Sequence, residues 1–150
     1  MTIEERLMND LKDAMRAGAE GERRKSTIRM ARAALKNAQI ELQHPLSDDE
    51  AITVLQRQVK QRRDSIDEYE KAHREDLAQI EREEIAVLQA YLPQQMSADD
   101  VAAVVRATIA ETGAQSLADL SKVMPVLMTR LKDKAEGRLI NQIVRQQLQG

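Results

Sequence analysis

Residues 47–92, SDDEAITVLQRQVKQRRDSIDEYEKAHREDLAQIEREEIAVLQAYL, read as two helices joined by a tight turn. Ser47, with Glu50 three residues on, forms a capping box that opens the longest helical segment, running to about residue 72. A second segment should run from about Glu75 to Leu92. The first carries the stripe Ile52, Leu55, Val59, position 62, Ile66 and Tyr69. The second carries Leu77, Ile80, position 84, Val87 or Leu88, and Tyr91. Two antiparallel helices result. With the turn centred near His73, facing residues have numbers summing to about 146, which sets Tyr69 against Leu77, Ile66 against Ile80 and Val59 against Val87. The same rule sets Arg62 against Glu84, the charged residues that interrupt the two stripes. Either they form an ion pair across the hairpin, or both lie along the seam and send their charged ends to water.

Working outward, Thr2 and Glu5 form a capping box ahead of the stripe Ile3, Leu7, Leu11 and Met15, and Gly18 and Gly21 end that helix. After the polar stretch from Glu20 to Lys25, Ile28, Ala31, Leu35, Ala38 and Leu42 form one face of another helix, and His44-Pro45-Leu46 breaks it. Toward the C-terminus Pro93 stops the hairpin's second helix and marks a domain boundary. Ser97 caps the next helix, whose apolar positions are Val101, Val104, Val105, Thr108 and Ile109, and Gly113 suits a left-handed C-cap. Ser116 caps a segment with Leu117, Leu120, Val123, Met124, Leu127, Met128 and Leu131, in which Pro125 should force a kink or a split. Gly137 precedes a last helix faced by Leu139, Ile140, Ile143, Val144 and Leu148. The expectation is an all-α chain. An N-terminal helical domain, residues 1–92, holds the long hairpin, and residues 93–150 form a small domain of three to four helices.

Composition agrees. Of 150 residues 42% are hydrophobic and 32% charged, and Tyr69 and Tyr91 are the only aromatic ones, which favours helix and starves a sheet core. No Cys is present, so there is neither a disulfide framework nor a thiolate nucleophile. No apolar run nears the roughly 20 residues of a membrane span, and the first thirty residues build no signal-peptide core. A cytoplasmic protein is the expectation.

Catalysis finds little support. The two histidines, His44 before a proline and His73 in the turn, are not placed for a hydrolytic triad. The five glycines are scattered singly and make no phosphate loop. Glu81, Glu83 and Glu84 point in different directions on a helix and read as a solvated face, with no metal site. The seven methionines read as core filler. No cofactor is implied. Charge is more informative: residues 1–92 hold 16 basic and 19 acidic side chains, whereas residues 121–150 carry Lys122, Arg130, Lys132, Lys134, Arg138 and Arg145 against only Asp133 and Glu136. Such a basic end suits the phosphates of a folded RNA, and the shortage of aromatic residues argues against stacking on single strands. A solvated helix face is the plain alternative.

The runs IRMARAALKNAQIE (28–41), VKQRRDSIDEYEKAHREDL (59–77) and EREEIAVLQAYLPQQMS (81–97) together resemble the YqeY family. The stretch ETGAQSLADLSKVMPVLMTRLKDKAEGRLINQIVRQQL (111–148) is similar to the same family and to the tail domain of GatB, the tRNA-binding subunit of the glutamyl/aspartyl-tRNA amidotransferase. The resemblance implies a two-part helical protein whose second part contacts tRNA, and it carries none of the amidotransferase's kinase or glutaminase machinery. A carbon–nitrogen ligase label, with glutamine as amide donor, would be inherited from the shared tail. The tail departs from the family pattern: Ser121 and Pro125 replace glycines, Thr129 replaces a proline, and the usual Lys-Gly-Arg-Ala-Asp-Gly reads Lys132-Asp133-Lys134-Ala135-Glu136-Gly137.

Three functions compete. The first is a non-enzymatic tRNA-binding accessory protein with Lys122, Arg130, Lys132, Lys134, Arg138 and Arg145 as phosphate contacts, acting in trans with an aminoacyl-tRNA synthetase or amidotransferase. The second is a helical protein-interaction adaptor that never touches RNA. The third, an enzyme of amidotransferase type, lacks a candidate constellation.

Overall fold

The computed structural model describes residues 1–149, which form seven α-helices and, among the described residues, no strand. They divide into two units, Met1–Leu92 and a second that begins at Pro93.

In the first unit α1 (Ile3–Arg16) starts at the Thr2–Glu5 capping box, in which the Glu5 N–H donates to Thr2 Oγ1 at 3.1 Å and the Thr2 N–H to Glu5 Oε2 at 3.3 Å. Its buried residues are Ile3, Leu7, Leu11 and Ala14; Met15, expected on this stripe, is 54% exposed. A 3-10 turn, Gly18–Gly21, leads directly into α2 (Glu22–Leu42). The polar stretch around Glu22 to Lys25 is therefore the first turn of a helix, because the glycines complete the reversal before it. Gly21 makes that reversal possible: a Cβ there would lie 2.1 Å from the Ala14 carbonyl oxygen. In α2 Thr27, Ile28, Ala31 and Leu35 are buried, but Leu42 is exposed.

The hairpin consists of α3 (Asp48–Lys71) and α4 (Glu75–Gln89). The Ser47–Glu50 capping box opens α3, with bonds of 3.1 and 3.0 Å. At the turn His73 takes φ +57° and the Arg74 N–H reaches back to the Tyr69 carbonyl at 2.8 Å, a Schellman closure that reverses the chain within three residues. Past Gln89 the chain tightens into bonds from Tyr91 N–H to Leu88 and from Leu92 N–H to Gln89, so α4 stops short of the expected Leu92.

Arg62 and Glu84 face each other across this hairpin. Arg62 Nε donates to Glu84 Oε2 at 2.8 Å, with side chains only 6% and 12% exposed. Arg62 Nη1 also donates to the Gln58 carbonyl and to Gln58 Oε1, both at 3.1 Å, and Nη2 lies 3.9 Å from Met30 Sδ on α2. Burial, and then the charge of Glu84, push the nearby Glu81 carboxyl up, while Arg62 opposes them.

The buried face of α4 is rotated from the expected stripe: Ala78, Ile85 and Leu88 are buried, whereas Leu77, Ile80 and Val87 are half-buried. The reason is that α4 packs on α2 as well as on α3, so its deepest line falls between the two contacts. Tyr91 closes the unit. Its hydroxyl donates to Asp10 Oδ2, Asp10 Oδ1 lies 3.5 Å from Arg24 Nη2, and the Arg6 guanidinium sits 5.0 Å over the ring. Burial, reinforced by the Asp10 bond, pushes the Tyr91 phenol well above its ordinary value.

The second unit is a three-helix cluster of α5 (Ala98–Thr112), α6 (Leu120–Arg130) and α7 (Gly137–Gln149), all in mutual contact. Its core is aliphatic: Val101, Val105, Val123, Leu127, Leu131, Ile140, Ile143, Val144 and Leu148. Gly113 ends α5 at φ +72°. Pro125 does not divide the following segment. A 3-10 turn, Leu117–Asp119, comes first, and α6 then runs unbroken through the proline. Pro125 and Ser121 are both exposed, so the Ser121 carbonyl that loses its helical donor faces water. Leu117 and Met128, expected on the apolar face, are 38% and 47% exposed. No methionine is fully buried, but Met96 and Met124 pack against the second core and Met8 is half-buried, so only some of the methionines act as core filler, at its margin; Met1, Met15, Met30 and Met128 are exposed. The fully buried hydrophobic residues of both cores are leucine, isoleucine, valine and alanine, with Tyr91 added in the first.

Candidate nucleic-acid interface

The six expected RNA contacts fall into three environments. Lys132, Lys134 and Arg138 lie in the connection between α6 and α7 and in the first turn of α7, and all three are exposed. The backbone beneath them is tightly held. Leu131 is buried, Lys134 N–H bonds the Leu131 carbonyl at 2.9 Å, and Asp133 takes φ +65°. Asp is among the few side chains that accept the left-handed region, so the turn forms there without glycine. The segment before α5 fastens the turn from the other side: Met96 N–H donates to the Lys134 carbonyl at 2.8 Å and Gln95 Nε2 to the Asp133 carbonyl at 3.2 Å. With carbonyls turned inward to these donors, the lysine side chains project from a fixed scaffold. The N-terminal end of α7 adds the positive end of its helix dipole to the same segment.

Arg145 is on the same side of α7 as Arg138, seven residues on; it is exposed, with Nε donating to Asn141 Oδ1 at 2.7 Å. Lys122 is elsewhere, in the first turn of α6. Eight residues separate it from Arg130, about 12 Å of helix. Its ammonium lies 3.3 Å from Asp119 Oδ1, and the Asp119 carboxyl is held below its ordinary range first by the Gln115 N–H and then by Lys122. Arg130 is engaged inside the unit. Nη1 donates to the buried Thr108 Oγ1 at 2.9 Å and Nη2 to Glu111, so it ties α6 to α5 and its charge is balanced locally. Lys132, Lys134 and Arg138 thus share one seven-residue stretch, with Arg145 two turns further along α7, whereas Lys122 is engaged by Asp119 and Arg130 by Thr108 and Glu111.

The histidines sit in surface turns. His44 Nε2 is 3.6 Å from Glu50 Oε2, and His73 occupies the left-handed position of the hairpin turn. Among the described residues no three His, Asp or Glu side chains converge as a metal-ligating group, and no helix is long and apolar enough to cross a membrane.

One set of cations received no role from sequence. Arg29, Arg32 and Lys36 line an open groove of about 590 Å³ beside α1, with Glu4, Glu5 and Met8 among its other walls. Their spacing of three and four residues on one helix was the available signal.

A family model described as "Yqey-like protein" matches residues 4–148. Among curated proteins, "Altered inheritance of mitochondria protein 41, mitochondrial" from Lachancea thermotolerans is 39% identical over 89 residues, 59% of this chain and 46% of that protein. The protein of the same name from Vanderwaltozyma polyspora is 37% identical over 87 residues, 57% and 46% of the two chains, and that from Pyrenophora tritici-repentis is 38% identical over 87 residues, with the same shares. The matched stretch spans under half the length of these relatives. Their names place them in mitochondria, which overturns the cytoplasmic expectation. Lack of cysteine excludes a disulfide framework and does not distinguish one reducing compartment from another. The match across nearly the whole chain places this protein in the YqeY-like family.

Proposed function

We propose that the protein is a non-catalytic tRNA-binding accessory factor, acting in trans with an aminoacyl-tRNA synthetase or a tRNA-dependent amidotransferase. The observation that carries this reading is the cluster of Lys132, Lys134 and Arg138, three exposed cations within seven residues on a backbone fixed by Gln95 and Met96. Preset cations hold phosphates with little ordering cost. The likeness of residues 111–148 to the GatB tail supports RNA as the occupant. Arg138 and Arg145 extend the contact along α7, Lys122 lies at its margin, and Arg130 acts by holding α5 and α6 together. With Tyr91 5% exposed, and Tyr69 the sole other aromatic residue, recognition rests on the shape and backbone of a folded RNA.

Fluorescence anisotropy with unfractionated tRNA at low and moderate salt tests this reading. The intact chain should bind with a steep salt dependence. A variant with Lys132→Ala, Lys134→Ala and Arg138→Ala should lose about 2 to 3 units of the slope of log K against log salt. Absence of binding at low salt removes the proposal and directs the search to a protein partner.

A further inference from the structure

The cations of α2 divide sharply in how they are matched. Arg23 Nε lies 3.2 Å from Glu83 Oε2, Arg24 Nη2 lies 3.5 Å from Asp10 Oδ1, and Lys25 Nζ lies 3.1 Å from Glu22 Oε2. The next three, Arg29, Arg32 and Lys36, have no ion pair or hydrogen bond among the described residues. Yet they stand at i, i+3 and i+7, on one side of the helix, where like charges repel. Acidic partners were not scarce, since residues 1–92 hold 19 acidic side chains against 16 basic ones. A helix that pairs its first three cations and leaves the following three together on a groove wall has the charge pattern of an anion-binding face.

The groove itself narrows the choice of anion. Its carboxylates, Glu4 and Glu5, gather at one end: Glu4 Oε1 accepts from Gln39 Nε2, and Glu5 Oε2 is turned back to the Thr2 N–H at 3.3 Å. On α2 the groove is lined by Arg29, Arg32 and Lys36 together with Ala33, Leu35 and Gln39, so every charged residue of that wall is a cation. The floor offers little to a protein partner. Of its apolar lining, Leu35 is 1% exposed with almost no surface left to bury, Met8 is half-buried, Ala33 offers only a methyl group, and no aromatic anchor is present. From Arg29 to Lys36 the helix rises about 10 Å, which at one charge per about 3.4 Å of duplex axis on each strand faces about three phosphates of one strand. Two of the three cations are guanidinium forks suited to paired phosphate oxygens.

We infer that this face of α2 is a second phosphate-contact surface, which holds the backbone of the RNA through Arg29, Arg32 and Lys36 independently of the C-terminal cluster. The inference rests on RNA being the partner, as proposed above, and it assigns the N-terminal unit a direct part in binding.

The test uses the full chain and three proteins: wild type, the C-terminal triple variant, and Arg29→Gln/Arg32→Gln/Lys36→Gln, in which glutamine keeps much of each stem. Circular dichroism melting checks the fold of the last, which should melt no lower than wild type because repulsion has been removed. With unfractionated tRNA, the α2 variant should flatten the salt slope by about 2 units, additively with the C-terminal change. Polyglutamate at equal charge should compete weakly. An unchanged slope in the α2 variant, with a flattened one in the C-terminal variant, overturns this inference and leaves the proposed function standing. Loss confined to the α2 variant upholds the inference and displaces the C-terminal site. No tRNA binding by wild type removes both, and strong competition by polyglutamate reassigns the α2 face to an acidic protein.

Discussion

The two units solve the same problem, holding a few short helices together, with different chemistry. In the first, polar groups are part of the interior: Arg62 is 5% exposed and bonded to Glu84 and Gln58, and Tyr91 is buried against Asp10. In the second, the buried core is wholly aliphatic apart from Thr108, which Arg130 reaches from a half-exposed position. A buried ion pair adds little net stability but strongly penalises any register in which the partners fail to meet. A long hairpin of two similar helices needs such a device, because slipping by one turn would still bury apolar residues. Three short helices with unlike spacings of valine and isoleucine do not.

The largest expected effect breaks this contrast at its centre. Arg62→Ala leaves Glu84 buried without its partner and should cost about 3–5 kcal/mol in urea unfolding of the full chain, whereas Arg62→Leu with Glu84→Leu should recover most of that loss. If the double variant is as unstable as the single one, packing and not charge pairing is what Arg62 supplies.

In the aliphatic unit the corresponding blow is a cavity. Leu127 is fully buried, and Leu127→Ala should cost about 2–5 kcal/mol. Because a core this small supplies only about 3–5 kcal/mol, most of the unit's stability should go. Hydrogen exchange of the full chain should show the amides of α5, α6 and α7 losing protection together, and retained protection there would contradict the small-core argument.

Much of this architecture was legible in the residues. Three capped helix starts, at Thr2, Ser47 and Ser97, follow from local hydrogen bonding alone, and the facing rule that set Arg62 opposite Glu84 follows from the length of the turn. What escaped depends on a third body. Ala78 and Ile85 became the deepest line of α4 because α2 also packs there, and Ala14 displaced Met15 for want of a view of what α1 faces. The functional face was legible in part: a count of charge by segment finds Lys132 and Lys134, but does not reveal that Arg130 is engaged by Glu111 and Thr108. Nor could it distinguish the paired Arg23 and Arg24 from Arg29 and Arg32, since the carboxylates that match the first two lie far away in sequence.

The polar closure of the first unit yields a pH signature. Tyr91→Phe removes the hydrogen bond to Asp10 and should cost about 1–2 kcal/mol at neutral pH. The folded phenol holds its proton more tightly than the unfolded one, whose ordinary value is 10.0, so its contribution is complete below that value. As pH rises past it, the unfolded tyrosine ionises while the folded one stays neutral, and the advantage over Phe declines. Denaturant unfolding at pH 7 and above pH 10 checks the sign: a difference between the two proteins that grows with pH contradicts a raised phenol.

The smallest effect sharpens the comparison at the helix starts. Ser47 and Ser97 each accept from the N–H three residues on, at 3.1 Å. Ser47 also belongs to a reciprocal box, because Glu50 is long enough to reach back to its N–H, whereas Asp100 occupies the corresponding place after Ser97 with one methylene fewer. Ser47→Ala therefore removes one of two bonds holding α3, and Ser97→Ala removes the side-chain bond holding α5. Each should cost about 1 kcal/mol. In a unit whose total is a few kcal/mol, the Ser97 change should shift thermal unfolding of its own helices by about 4–8 °C, and the Ser47 change should shift the larger unit by less. Equal shifts followed separately by residue-resolved spectra would show that the two units unfold as one cooperative body, in which case the division between a polar and an aliphatic interior has no thermodynamic counterpart.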